Sequence, residues 1–218
     1  MSKIPVFDIG DTLMPCYRLQ NETVKEVVEE NGGEPPEFDV NNFRIYNVSD
    51  VRRYLDKNGV DASPEQIVER YKKKEEEFLK QNNVFNFLKN CSREFGEIGF
   101  ISDNSIKGKK WFQRLLEENK VPYNGFVVSE EVGVEKPDKK IFQAFLEKRR
   151  EPSEKFVYFG NNVVRDKASQ DVGMKFVWVK GYNTFGTEYD KVSIKVPTVK
   201  SVRDSFQKLG EKKIEHTG

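Results

Sequence analysis

The chain has 218 residues and a mass of 25.4 kDa, room for one domain of ordinary size or for a core with a small insert. Its 36% apolar residues, with 17 Phe and 8 Tyr, suffice for a packed core and exclude a disordered chain; 37 Lys+Arg against 36 Asp+Glu leave a net charge of +1 and no overall pull toward nucleic acid or an acidic membrane. Two cysteines, Cys16 and Cys91, cannot build a disulfide scaffold or a cysteine metal cage, no apolar run is long enough to span a bilayer, and the early acidic residues do not read as a signal peptide, so a cytoplasmic protein is expected.

The first predicted strand is 4–7. Residues 16–82 then carry helical patterns at 22–30, 49–58 and 64–80 and no convincing strand. Ser63 before Pro64, with Gln66 three residues on, reads as a capping box. The charge block 72–77 reads as a solvated helix face, and 32–36 as a loop. Further strands are predicted at 98–102, 125–129, 156–159 and 175–179, with an edge strand at 193–196. Between them lie helical patterns at 111–119 and at 139–149, the latter capped by Asp138, and a closing helix at 199–209. Several strands are almost continuously apolar, as in a parallel sheet buried on both faces. The expected fold is α/β, a doubly wound parallel sheet whose ligands lie at the carboxyl ends of the strands. The helical insert after the first strand would form a lid over those ends.

Polar residues gather at the predicted strand ends in four clusters: Asp8-Ile9-Gly10-Asp11-Thr12-Leu13, Ser102-Asp103-Asn104, Lys136-Pro137-Asp138, and Gly160-Asn161-Asn162-Val163-Val164-Arg165-Asp166. A carboxylate at a strand end can attack phosphorus. Hydroxyls and an ammonium can hold phosphoryl oxygens and offset their charge. Carboxylate, carboxamide and carbonyl oxygens together suit Mg²⁺. Each cluster alone is an ordinary turn or helix start; their joint order carries the signal.

In that order and spacing the four clusters resemble the motifs of the haloacid dehalogenase-like hydrolases, and the insert resembles that family's C1 cap. The resemblance implies a Rossmannoid core of residues 1–15 and 83–218 with a helical cap at 16–82. It implies Asp8 as nucleophile, Thr12 and Ser102 as ligands of the transferring group, and Lys136 as the cation that orients Asp8. Asn104 would contact substrate or brace its loop. Mg²⁺ would be held by Asp8, the carbonyl of Gly10, Asn161 and Asp166. The implied reaction is hydrolysis of a small organophosphate monoester through an aspartyl-phosphate, in a monomer or homodimer.

Two positions depart from the family pattern. The general acid/base, usually an Asp two residues after the nucleophile, is Gly10 here, with Asp11 one further on; Asp11 stays open as a catalytic substitute. The usual fourth-motif Asp is Asn161, which removes one negative charge from the metal site. A metal-independent 2-haloacid dehalogenase and a weakened member acting by binding therefore remain as alternatives. His216, the only histidine, reads as a solvated tail residue, Cys16 as a structural thiol, and Trp111 and Trp178 as core; Asp103 stays open. Tyr17, Arg18, Phe43, Arg44, Tyr46 and Arg52 are substrate-contact candidates by residue type alone.

Overall fold

A computed structural model describes residues 3–36, 45–183, 186, 189 and 191–210. Phe43, Arg44 and His216 lie outside them. Among the described residues, six strands form one sheet: β1 (Ile4–Phe7), β2 (Gly99–Ser102), β3 (Phe126–Val128), β4 (Phe156–Gly160), β5 (Lys175–Val179) and β6 (Ser193–Ile194). Their spatial order is β3-β2-β1-β4-β5-β6, and every pairing is parallel. This is the expected α/β sheet with a helical insertion after its first strand.

Alternation within the strands builds two apolar layers. Phe7, Phe100, Val157, Phe159, Val177 and Val179 face one side, with α4 (Val84–Phe95), α5 (Ile106–Glu118) and α9 (Val199–Gly210). Ile4, Val6, Ile101, Phe156, Tyr158 and Phe176 face the other, against α7 (Lys140–Arg149). Burying one such Phe stabilises by about 1.5–3 kcal/mol, so the apolar runs decide the topology more than any single polar contact.

The insertion contributes α1 (Cys16–Glu30), α2 (Val48–Lys57) and α3 (Pro64–Gln81). These bury a cluster of their own, including Val24, Val27, Val51, Leu55, Ile67 and Tyr71. The Ser63 hydroxyl caps α3 by accepting the Gln66 amide at 3.3 Å. No described helix is long and apolar enough to cross a membrane.

Three differences from the sequence reading have local causes. Helix α5 begins at Ile106, ahead of the predicted 111, because Ser105 caps it by accepting the Gly108 amide at 3.0 Å. The sequence reading places no helix at 84–95, where α4 runs between Asn83 and Gly96, both with positive φ. Glu75, inside the charge block expected as a solvated face, is wholly buried because it continues the inward stripe of Ile67, Tyr71 and Leu79 on α3.

Candidate active site

Asp8 leaves the end of β1, and its amide donates to the Phe159 carbonyl of β4 at 2.8 Å. Because Phe7 lies level with Phe100 and Phe159, the residues just past these positions emerge together. They include Asp8, Ser102, Gly160 and Asn161, all buried. The chain then turns tightly: Leu13 N–H donates to the Ile9 carbonyl at 2.9 Å, and Asp11 N–H to the Met14 carbonyl at 2.8 Å. This turn brings the buried Thr12 under the fourth cluster, where its hydroxyl donates to Asn161 Oδ1 at 3.4 Å.

Lys136 is the centre of charge. Its buried Nζ donates to Asp166 Oδ1 at 2.7 Å and to the Tyr158 hydroxyl at 3.0 Å, and lies 3.2 Å from Asp8 Oδ1 and 3.8 Å from Asp103 Oδ2. Burial pulls the ammonium toward neutrality, but Asp166 and Asp8 outweigh it and hold its pKa well above the ordinary value. Burial likewise pushes the Asp8 carboxyl up to about 7; Lys136 opposes this, while Asp166 and Asp103 add to it.

Two side chains with no assigned role in the sequence reading hold the Lys136 backbone. Asp103 Oδ1 accepts the Lys136 N–H at 2.9 Å, and Arg165 Nε donates to the Lys136 carbonyl at 2.8 Å. Arg165 and Asp103 are themselves paired at 3.0 Å. Asp103, left open between helix start and site residue, therefore belongs to the site. Tyr158 is a further addition: it accepts from Lys136 and donates to the Ile101 carbonyl at 2.9 Å. Nothing in the local sequence signals these contacts, because the partners lie in three separate segments.

The remaining predicted residues are placed as follows. Asp166 accepts the Asn162 amide through Oδ2 at 2.8 Å, and any side chain at Gly160 would collide with that carboxylate. Asn161 donates through Nδ2 to the Asn183 carbonyl at 2.6 Å, which turns its Oδ1 toward Thr12. Asn104 braces its loop: its Oδ1 accepts the Ser105 amide at 2.7 Å, and its carbonyl accepts from Ser129 and Glu130. Asp11 has φ 53°, a left-handed conformation that Asp tolerates better than most residues. Its Oδ1 accepts the Tyr17 amide at 3.3 Å, so the carboxyl faces the first turn of α1. Burial pushes its pKa up to about 6, with the Tyr17 and Cys16 amides opposing. Among the type-only candidates, Arg18 and Arg52 are exposed, and Tyr46 is buried against Glu75.

The arrangement joins a buried carboxylate, a buried ammonium beside it and hydroxyl-bearing residues at the ends of neighbouring strands. No curated protein sequence matches the chain. Solved structures of similar fold include an HAD phosphatase from Thermococcus onnurineus (17% identity, TM-score 0.61, covering 94% of this chain and 97% of that one). Another is the HAD-hydrolase YfnB of Bacillus subtilis bound to magnesium (16% identity, TM-score 0.60, covering 94% and 99%). A third is the L-2-haloacid dehalogenase PA0810 (10% identity, TM-score 0.63, covering 97% and 100%). A family model for haloacid dehalogenase-like hydrolases matches residues 6–179, and with the parallel sheet and its helical insertion this establishes that the chain belongs to that family of hydrolases.

Proposed function

We propose that this hydrolase is a phosphomonoesterase that forms an aspartyl-phosphate on Asp8, with residues 16–82 acting as a cap over the crevice. The observation that carries the reading is the buried Lys136 ammonium, 3.2 Å from Asp8 and 2.7 Å from Asp166. Such a cation orients one carboxylate as nucleophile and offsets the charge of the phosphoryl group it attacks. Thr12 and Ser102 would hold phosphoryl oxygens. The Asp103–Arg165 pair would keep the Lys136 backbone fixed while the charges shift. A small organophosphate suits a crevice closed by a helical cap, whose closure would exclude water.

The donor set suits Mg²⁺: the Asp8 and Asp166 carboxylates, the Gly10 carbonyl and an Asn161 carboxamide whose nitrogen is occupied, leaving its oxygen inward. The ion would neutralise phosphoryl charge when bound. With Asn161 in place of a carboxylate and Asp166 also paired to Lys136, binding is expected to be weak. Asn161→Asp should tighten Mg²⁺ binding about tenfold or more by adding one charge. Isothermal titration with Mg²⁺ alone reads this directly; an unchanged dissociation constant removes position 161 from the site.

The test of the reading is hydrolysis of p-nitrophenyl phosphate. Turnover should require Mg²⁺, stop with EDTA and vanish in Asp8→Ala. A 2-haloacid dehalogenase is the second reading, favoured by Gly10 because a departing halide needs no proton. It would release halide from 2-chloropropionate in the presence of EDTA. A protein that does neither is a binding member of the family.

A further inference from the structure

We propose that the site takes acyl phosphates, and other donors whose leaving group departs without a proton, and that the phosphoryl group then rests on Asp8. This deepens the reading above and rests on Asp8 as nucleophile.

The space in front of Gly10 is lined by Cys16. A Cβ built there would sit 3.4 Å from Cys16 Sγ and 3.6 Å from Cys16 Cβ. The wall of this space is therefore a thiol. The Tyr71 hydroxyl donates to that sulfur at 3.5 Å, and a thiol is a far weaker acid than a carboxyl. The nearby carboxyls are committed elsewhere. Asp11 accepts the Tyr17 amide. Asp166 and Asp103 are turned to Lys136, Arg165 and the Asn162 amide. Glu75 accepts from the Tyr46 hydroxyl and Trp111 Nε1.

When Asp8 attacks phosphorus, an Oδ–P bond forms, and the bond from phosphorus to the leaving oxygen breaks with its electron pair. An alkoxide, whose parent alcohol has a pKa near that of water at about 16, must be protonated as it leaves. A carboxylate, whose acid has a pKa of about 4, leaves as the anion. Acyl phosphates thus bypass the missing acid. The second half is not bypassed. Water must attack phosphorus, return the P–O pair to Asp8 and lose a proton, and among the described residues no base is placed to take it. The first step outruns the second, and the phosphoryl group accumulates.

The experiment mixes the whole protein and Mg²⁺ with acetyl phosphate or with glycerol 3-phosphate, following phosphate release and intact mass. Acetyl phosphate should phosphorylate Asp8 at least about 10²-fold faster, read as the rate of mass gain over the first turnover, the lower bound for a missing general acid; steady-state phosphate release is set by the slower second step. The protein should gain the mass of one phosphoryl group, labile to hydroxylamine and absent in Asp8→Ala. Gly10→Asp, whose Cβ meets only ordinary contacts, should narrow the ratio and drain the adduct. Equal rates of Asp8 phosphorylation from the two donors, or no adduct despite turnover, overturn the proposal while leaving the phosphatase reading standing. No transfer from either donor overturns both. Glu75→Gln should leave the ratio within about twofold; a collapse of the alkyl rate would make Glu75 the acid and overturn the proposal.

Discussion

Replacing Lys136 by Met is expected to lower stability by about 3–5 kcal/mol and phosphoryl transfer by at least about 10²–10³-fold. The stability loss follows from what the ammonium leaves behind. Asp8 and Asp166 lie 3.2 Å and 2.7 Å from Nζ, both buried, while Asp103 alone keeps a second cation in Arg165. Met fills much of the volume, so lost packing accounts for little of the effect. A double-mutant cycle separates charge from packing. If uncompensated carboxylates are the cause, Asp8→Asn in the Lys136→Met background should recover about 1–3 kcal/mol. The effect should also be smaller at acid pH, where Asp8, already near 7 with the cation present, takes up a proton instead of bearing an unpaired charge. Urea unfolding at pH 5.5 and 8 reads both. Equal losses at the two pH values, with no recovery in the double variant, would leave packing as the explanation.

The same residues mark how far the sequence could be read. The strands were legible because their apolar runs are long enough to bury both faces, and the runs at 4–7 and 175–179 coincide with β1 and β5. The four polar clusters were legible because each is contiguous. Helix α4 carries only a short signal in the sequence, Val84, Leu88 and Cys91 at helical spacing, all of them buried. The Asp103–Lys136–Arg165 arrangement joins residues 33 and 29 positions apart, and only folding brings them together. Asp11 illustrates the opposite limit. Its residue type suits a catalytic carboxyl, and only folding shows that the turn burying Thr12 gives it a positive φ and brings its Oδ1 to the Tyr17 amide of α1. Glu75 is hidden in composition and visible in period. Ile67, Tyr71 and Leu79 are buried at intervals that pass through position 75, so the inward stripe of α3 includes it.

That buried carboxyl is expected to make the protein lose stability as pH rises. Glu75 Oε2 accepts the Tyr46 hydroxyl at 2.6 Å and Trp111 Nε1 at 3.1 Å, and Oε1 has no hydrogen-bond partner among the described residues. Among the described residues, the ionisable groups that face it are Tyr46, Tyr71 and Cys16, none of them cationic. Lys72, from the same helix, lies over the Trp111 ring at 5.4 Å. Burial pushes the Glu75 pKa up to about 8, with the two hydrogen bonds opposing, against an ordinary value of 4.5. The folded state therefore holds a proton that the unfolded chain releases. The resulting stability is fully present below about pH 4.5, declines as pH rises, and is gone once pH passes about 8. With about 1.4 kcal/mol for each tenfold difference in proton affinity, the whole span is on the order of 4–5 kcal/mol. Glu75→Gln keeps an acceptor for Tyr46 and Trp111 and cannot ionise. Relative to the parent it should be similar or slightly less stable at pH 5, since its amide nitrogen lacks an acceptor, and more stable by a few kcal/mol at pH 9. Other buried acids, Asp8 and Asp11 among them, share the slope, so the difference between the two proteins isolates Glu75. Because Trp111 belongs to α5 and Glu75 to the insertion, ionisation acts on the contact between the two, and Trp111 fluorescence in a Trp178→Phe background should titrate near pH 8 in the parent alone. Parallel stability curves for parent and variant from pH 5 to 9 would mean that Glu75 is ionised, and compensated, throughout.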